Sequence, residues 1–458
     1  MSTNHPGKVK SKSEDCLFVD VQAPTNATAD SNLPVWLYIQ GGGFNINSNI
    51  NPNATGLIKA ADYNLVVVSF NYRVGPYGFI HDGNNIAPNN GLRDQRKVME
   101  WVQKYISKFG GNPKHVVLGG SSAGAESVAL HLTANRGRDL GLFHGVTAES
   151  PSFATTMTVK EANYQYRQFA TRFGCAGKNS LACLRNKTED EIQELNYNIP
   201  FLGGAQAPNY MWVPIIDGEY VPDFTYRLFQ RGEFIKVPSI FGDDQNGGTK
   251  FVPSNTSTMA ESNLYNLNSY PFMSLDQLGE TNELYPNPNT TCPSPGCWWR
   301  QASNVYGEAR YMCPALYITS SMQKFGIENS YAYLWNVEDP EQIAQGLGVP
   351  HTSEYEALIG PEYCPPKDVP ASYNKGQINY PASGVIQKYW TNFIQTLDPN
   401  KSPNKHATPP ETKWTKWNCN NQDRLVFQTG GKTEMKNIGD GLRKRCQFWA
   451  KNAVSIRI

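Results

Sequence analysis

The chain has no apolar run near the roughly 18 residues that a membrane-spanning helix needs, so no helical span is predicted. It has no excess of charge either. Forty-one Lys and Arg against 40 Asp and Glu leave a formal net charge of +1, so neither nucleic acid nor a polybasic membrane contact is expected as a partner. Cysteines at zinc-site C-x-x-C spacing are absent and the 7 histidines are scattered, so no metal is expected. The first ten residues, Met1 to Lys10, hold no apolar signal core. Internal repeats, heptads and low-complexity tracts are also missing.

What the chain does have is length. Its 458 residues suffice for a sizeable core and are read as one domain, 1–458. Nine cysteines include the close pairs Cys175/Cys183 and Cys292/Cys297. Asn-x-Ser/Thr sequons fall at Asn26, Asn53, Asn186, Asn255 and Asn289, with a poorer one at Asn400 before Pro403. Disulfides and glycans belong together in an oxidising compartment. The expectation is a secreted, extracellular glycoprotein whose leader has been removed or was never included.

Short apolar runs bounded by turn residues alternate with helical patterns, the signature of a largely parallel α/β sheet flanked by helices. Strands are predicted at 35–40, 65–71, 115–119, 145–149, 238–241, 331–335 and 424–428. Helices are predicted at 91–109, 123–133, 160–173, 302–324 and 384–395. In the first helix Leu92, Val98, Trp101, Val102, Tyr105 and Phe109 recur at helical spacing and are assigned to the core. About 250–300 is rich in Asn, Ser, Pro and aromatics and reads as an irregular cap or insert.

The chemistry is concentrated in Gly120-Ser121-Ser122-Ala123-Gly124. An apolar run, Val116-Val117-Leu118, enters this Gly-x-Ser-x-Gly turn, and a helical pattern leaves it. That context marks a nucleophile elbow, with the Ser122 hydroxyl exposed at the carboxyl end of a sheet. A serine needs a base to take its proton and fixed donors for the oxyanion that follows. In α/β-hydrolases the order is serine, acid, histidine. Downstream of Ser122 at a useful distance lie His351 and His406. His406 sits in a polar, Pro-rich loop, whereas His351 follows a predicted strand and the loop Gly346-Leu347-Gly348-Val349-Pro350. For the oxyanion, Gly41-Gly42-Gly43 follows directly on a strand and can turn amides inward, joined by the amide of Ala123. A phosphate loop is the competitor, but its Lys and Ser/Thr are missing. Gly42 and Gly43 are therefore expected to resist side chains.

These motifs, with Ser13-Glu14-Asp15-Cys16-Leu17-Phe18-Val19-Asp20-Val21, Asn71-Tyr72-Arg73-Val74-Gly75-Pro76-Tyr77-Gly78-Phe79, Asn90-Gly91-Leu92-Arg93-Asp94-Gln95 and Arg445-Cys446-Gln447-Phe448-Trp449, resemble the type-B carboxylesterases. That group holds cholinesterases and fungal lipases, and the Gly-Gly-Ser-Ser-Ala-Gly variant resembles its fungal members. The resemblance runs through nearly the whole chain and implies an α/β-hydrolase fold. It implies Ser122 as nucleophile and His351 as general base, with Gly42, Gly43 and Ala123 as oxyanion hole. Glu354 and Ser150 match a buried hydrogen-bonded support behind the histidine. Cys175/Cys183 matches a family disulfide, and Cys419/Cys446 is a plausible late pair.

Two departures follow. The family block resembling G-D-D-x-N-E-G-T-x-F reads Gly242-Asp243-Asp244-Gln245-Asn246-Gly247-Gly248-Thr249-Lys250-Phe251 here, so Gly247 stands where the triad Glu is expected. Asp243 or Asp244 is left to substitute. Loss of such an acid lowers kcat about 10⁴-fold, and Gly247→Glu is expected to raise turnover. Relatives also carry a segment before the E-D-C-L block that supplies a partner for the cysteine matching Cys16, so Cys16 is expected to be unpaired. The leading expectation is a serine-dependent carboxylic ester hydrolase acting through an acyl-enzyme on a small-molecule ester, without metal or organic cofactor and slowed by the missing acid. The alternative is an impaired hydrolase-fold protein used for binding or as a non-hydrolytic biosynthetic accessory.

Overall fold

The computed structural model describes residues 13–46, 52–288, 296–404 and 408–458. Runs rich in β-branched and aromatic residues become strands. In chain order these are β1 (Val19–Gln22), β2 (Leu33–Ile39), β3 (Val66–Phe70), β4 (Gly111–Ser121), β5 (Gly145–Glu149), β6 (Met157–Thr158), β7 (Ile215–Ile216), β8 (Ser239–Asp244), β9 (Ser330–Asn336), β10 (Asp423–Gln428) and β11 (Lys432–Asn437). Nine form one sheet in the order β1-β3-β2-β4-β5-β8-β9-β10-β11, and β6 pairs with β7 apart from it. Only the outermost pairs, β1 with β3 and β10 with β11, are antiparallel. The predicted parallel α/β sheet is present, and each of the seven predicted strands overlaps an observed one.

Both faces of the sheet are covered, as a parallel sheet requires. Along β2, Val35, Leu37 and Ile39 enter one buried cluster while Trp36 and Tyr38 enter the other. The period-2 alternation of a strand thus feeds two cores. The helix Ala123–Thr133 lies wholly buried against the first face.

Four details differ from the sequence reading, each for a physical reason. The helix Asn90–Tyr105 ends in a 3₁₀ turn, Ile106–Phe109. The tighter turn shifts the phase, so Ile106 is buried while Phe109 is 42% exposed and leaves the predicted core. The segment expected to be irregular contains two helices, Met259–Ser269 and Leu275–Leu284, each opened by a capping box. Their buried faces include Ser262, Asn266 and Thr281, which hid the periodicity.

The predicted helix 302–324 is three pieces: Trp299–Gly307, a π-helical turn Glu308–Met312, and Cys313–Lys324. Pro314 has no N–H to offer the carbonyl four residues back. That carbonyl, of Arg310, accepts instead from the Phe153 amide at 2.8 Å.

The fourth difference is a disulfide. Cys175–Cys183 is present, but Cys446 bonds Cys313 rather than Cys419. Cys419 is an exposed thiol whose Sγ faces the Ser320 carbonyl, whereas Cys313 and Cys446 have Cα atoms 4.9 Å apart, within bridging reach. Cys16 is a half-buried free thiol. Cys292, Asn289 and His406 lie outside the described residues. Asn26, Asn53, Asn186 and Asn255 are exposed. Asn400 is half-buried, with its amide engaged by the Trp414 backbone at 2.7 and 2.9 Å. No helix among the described residues is long and apolar enough to cross a membrane.

Candidate active site

The site residues gather at the carboxyl ends of neighbouring parallel strands, where open α/β sheets present their ligands. Ser122 follows β4 and caps the next helix with φ 59° and ψ −122°. A non-glycine residue at such a φ is strained by about 1–3 kcal/mol and persists only when its surroundings enforce it. Here they do. The Ser122 amide donates to the Glu149 carbonyl at 2.9 Å, and its carbonyl accepts from Glu126 at 3.0 Å and Ser152 at 3.2 Å. Phe44, Ser150 and Thr352, all around the same strand ends, also have positive φ.

The triglycine bend after β2 presses on the elbow. A Cβ on Gly41 would lie 2.8 Å from Ser122 Cβ. Gly42 and Gly43 have φ of 114° and 59°, and a Cβ there would meet the Ile46 carbonyl oxygen at 2.1 Å and the Tyr210 ring at 2.7 Å, respectively. Both positions resist side chains, as expected from the sequence. The amides of Gly42, Gly43 and Ala123 donate to no described backbone carbonyl.

His351 is buried, and neither ring nitrogen has a hydrogen-bond partner among the described residues. Ser122 and His351 therefore share no hydrogen bond here; such bonds often tighten only with substrate. The ring is held by aromatics instead. Tyr311 stacks on it with centroids 4.1 Å apart and planes 26° apart, and Phe251 meets it edge-on at 5.4 Å. Burial, then the nearby Arg310 and Lys250 cations, hold its pKa well below the usual histidine value.

The loop carrying His351 is pinned to the end of β8. Asn246 exchanges two hydrogen bonds with the Val349 backbone at 2.8 and 3.0 Å. Asp244 accepts from the amides of Thr352 at 2.7 Å and Ser353 at 3.1 Å, and from Ser150 Oγ at 2.9 Å. Ser150 and Asp244 thus link the strand beside the elbow to the histidine loop. Neither Asp244 nor Asp243 reaches the ring. Asp243 turns instead toward Arg424, at 3.7 Å. Glu354 is fully buried next to Asp244 and accepts from the Tyr333 hydroxyl at 2.8 Å. Burial, reinforced for Asp244 by the Glu354 charge, raises both carboxyls above the usual range.

Arg310 is a buried cation that the sequence reading missed. Its Nε donates to Ser152 Oγ at 2.8 Å, and its guanidinium lies over the rings of Tyr210 and Tyr306. Tyr311, its neighbour on the π turn, was missed too. The signal was Pro314 inside a helical pattern, since π turns concentrate at functional sites. A cavity of about 390 Å³ is lined by Gly247 with Arg300, Glu308 and Arg445 among others, and not by Ser122 or His351.

Two more carboxyls, Glu126 and Glu149, are buried nearby. Burial pushes Glu126, Glu149 and Asp243 each up to about 8. Their unfolded counterparts titrate near 4, so between about pH 4 and 8 the folded state holds more protons and stability falls as pH rises. The melting temperature is expected to be at least about 5 °C lower at pH 8 than at pH 5.5. A thermal melt that is flat or rises across this range contradicts neutral buried carboxyls.

Comparison with known proteins accords with this geometry. The carboxylesterase family model matches residues 1–449. The chain is 30% identical to a cholinesterase of Mus musculus over 457 residues, 95% of this chain and 72% of that protein. It is 38% identical to lipase 1 of Geotrichum candidum over 263 residues, 53% of this chain and 46% of that one. The crystal structure of Aspergillus niger EstA superposes with a TM-score of 0.92 at 38% identity, covering 100% of this chain and 87% of that one. With the mostly parallel sheet and flanking helices of the α/β-hydrolase fold shared along its length, the chain belongs to the carboxylesterase family and is an ester hydrolase acting on small-molecule esters.

Proposed function

We propose that this chain hydrolyses carboxylic esters through an acyl-enzyme on Ser122, at a turnover lowered by the absence of a triad acid. Ser122 Oγ attacks the ester carbonyl carbon and its proton passes to a His351 ring nitrogen. The oxyanion is received by the amides of Gly42, Gly43 and Ala123. Collapse expels the alkoxide, which takes the proton from His351 and leaves as the alcohol. Water then attacks the acyl carbon, gives a proton to His351, and releases the carboxylic acid while Ser122 recovers its hydrogen. Ser150 and Glu354 support the histidine loop through Asp244. Gly247 stands where the acid is expected, so the imidazolium forms without a carboxylate beside it.

The observation that carries this reading is the strained serine enforced against a glycine bend, with three amides that donate to no described backbone carbonyl. The two disulfides and exposed sequons support a secreted glycoprotein. The unpartnered His351 ring favours the alternative, a binding protein on a hydrolase fold. A fluorophosphonate probe separates the two. Labelling of the wild type that disappears in Ser122→Ala supports the esterase, and no labelling of the folded wild type favours the binder.

A further inference from the structure

A Cβ on Gly247 would lie 3.2 Å from Tyr311 Cδ2. The same ring stacks on His351 with centroids 4.1 Å apart. One aromatic ring therefore touches both the position of the missing acid and the imidazole. We propose that Tyr311 is the positioning residue of His351 in place of that acid, and that its ring bars any carboxylate introduced at 247 from reaching the imidazole. This deepens, and rests on, the reading of Ser122 and His351 as nucleophile and base.

Several features place the ring there. Tyr311 is fully buried on the π turn, with Phe251 and Tyr306 at centroid distances of 5.8 and 6.1 Å. Phe251 closes the edge of His351, so the imidazole has a face and an edge fixed without a bond to either nitrogen. An aromatic face also attracts the cation that His351 becomes during the reaction. Opposing this are the two cations that act on the imidazole, Arg310 and Lys250. Asp244 is committed to the Thr352 and Ser353 amides and to Ser150, so it holds the loop and not the ring. Gly247 also lines the cavity that holds Arg300 and Arg445, which offers a glutamate there a direction other than the ring of Tyr311.

The test is steady-state kinetics on a short-chain p-nitrophenyl ester with Tyr311→Ala, Tyr311→Phe, Gly247→Glu and the double variant Gly247→Glu/Tyr311→Ala. Tyr311→Ala is expected to lower kcat roughly 5- to 30-fold with KM within about 2-fold, because the ring acts on the transition state. Tyr311→Phe keeps the face and is expected to stay within about 3-fold of wild type. Gly247→Glu alone yields no gain, contrary to the expectation from sequence. The double variant exceeds both single variants by about ten-fold or more, and the acid limb of its kcat/KM profile moves up toward the ordinary histidine value, as a carboxylate beside the imidazole requires. A ten-fold gain from Gly247→Glu with Tyr311 intact overturns the proposal, as does unchanged kcat in folded Tyr311→Ala. If the alanine variants do not fold, Gly247→Glu and Tyr311→Phe decide. Fluorophosphonate labelling of the wild type is read in parallel. Its absence sinks the Ser122 reading, whereas labelling with additive variants sinks only the role of Tyr311.

Discussion

Ser122→Ala is expected to lower ester turnover only about 10²-fold while abolishing reaction with fluorophosphonate. The modest figure follows from the non-additivity of catalytic groups that act as a unit. In a complete triad, loss of the serine or histidine lowers kcat about 2 × 10⁶-fold, and loss of the acid alone about 3 × 10⁴-fold. With Gly247 at the acid position, most of that drop has already been taken. What survives Ser122→Ala is transition-state binding by the amides of Gly42, Gly43 and Ala123, which do not need the hydroxyl. The check is kcat on a p-nitrophenyl ester, normalised to active sites titrated in the wild type. A loss beyond about 10⁴-fold means that another group already does much of the acid's work. A loss below about 3-fold means that the hydrolysis measured does not pass through Ser122.

The largest effect on stability is expected from Gly124→Ala. A Cβ at 124 would lie 2.0 Å from the Ile39 carbonyl oxygen, 2.8 Å from its carbon and 3.0 Å from the Gln40 oxygen. These are backbone atoms at the end of β2, inside the sheet, and no side-chain rotation relieves the overlap. The helix Ala123–Thr133 must lift from the sheet and carry Ser122 with it. Overpacking of this kind destabilises by about 3 kcal/mol or more, so for a chain of this length a melting temperature lower by roughly 3 °C or more is expected, with lost labelling. Gly384→Ala is the control. It lies in the helix Tyr380–Thr396, and a Cβ there meets nothing within 4 Å. It is expected to be neutral or to stabilise by about 0.5–1 kcal/mol. If both variants melt alike, close packing at the elbow is not what position 124 provides.

Local chemistry was legible in the sequence wherever residue type alone dictates it. The runs that became β2, β3, β4, β5 and β9 are β-branched or aromatic and bounded by turn residues, so their place in a buried sheet follows from composition. The elbow was legible because Gly-x-Ser-x-Gly lies between such a strand and a helix. The polar edge strand β11, Lys-Thr-Glu-Met-Lys-Asn, was not. Its exposed face carries the charges that protect an edge and hide its period. Asp243 and Asp244 show the limit most clearly. They are adjacent in sequence and alternate across β8, so one turns to Arg424 and the other to the histidine loop, and a one-dimensional reading cannot assign them. Tyr311 belongs to a distant segment. Its contact with His351 depends on a π turn whose cause is a proline three residues on, and no local period announces that contact.

The bond between Cys313 and Cys446 begins where the turn bearing Tyr311 ends. It ties that turn to the helix Asp440–Ile456 at the far end of the polypeptide. Material made in a thiol-rich bacterial cytosol lacks this tether. Without it the aromatic wall beside the imidazole is expected to relax, and turnover of such a preparation to fall below that of the oxidised protein. The choice of production host is, for this chain, already an intervention at its reaction centre.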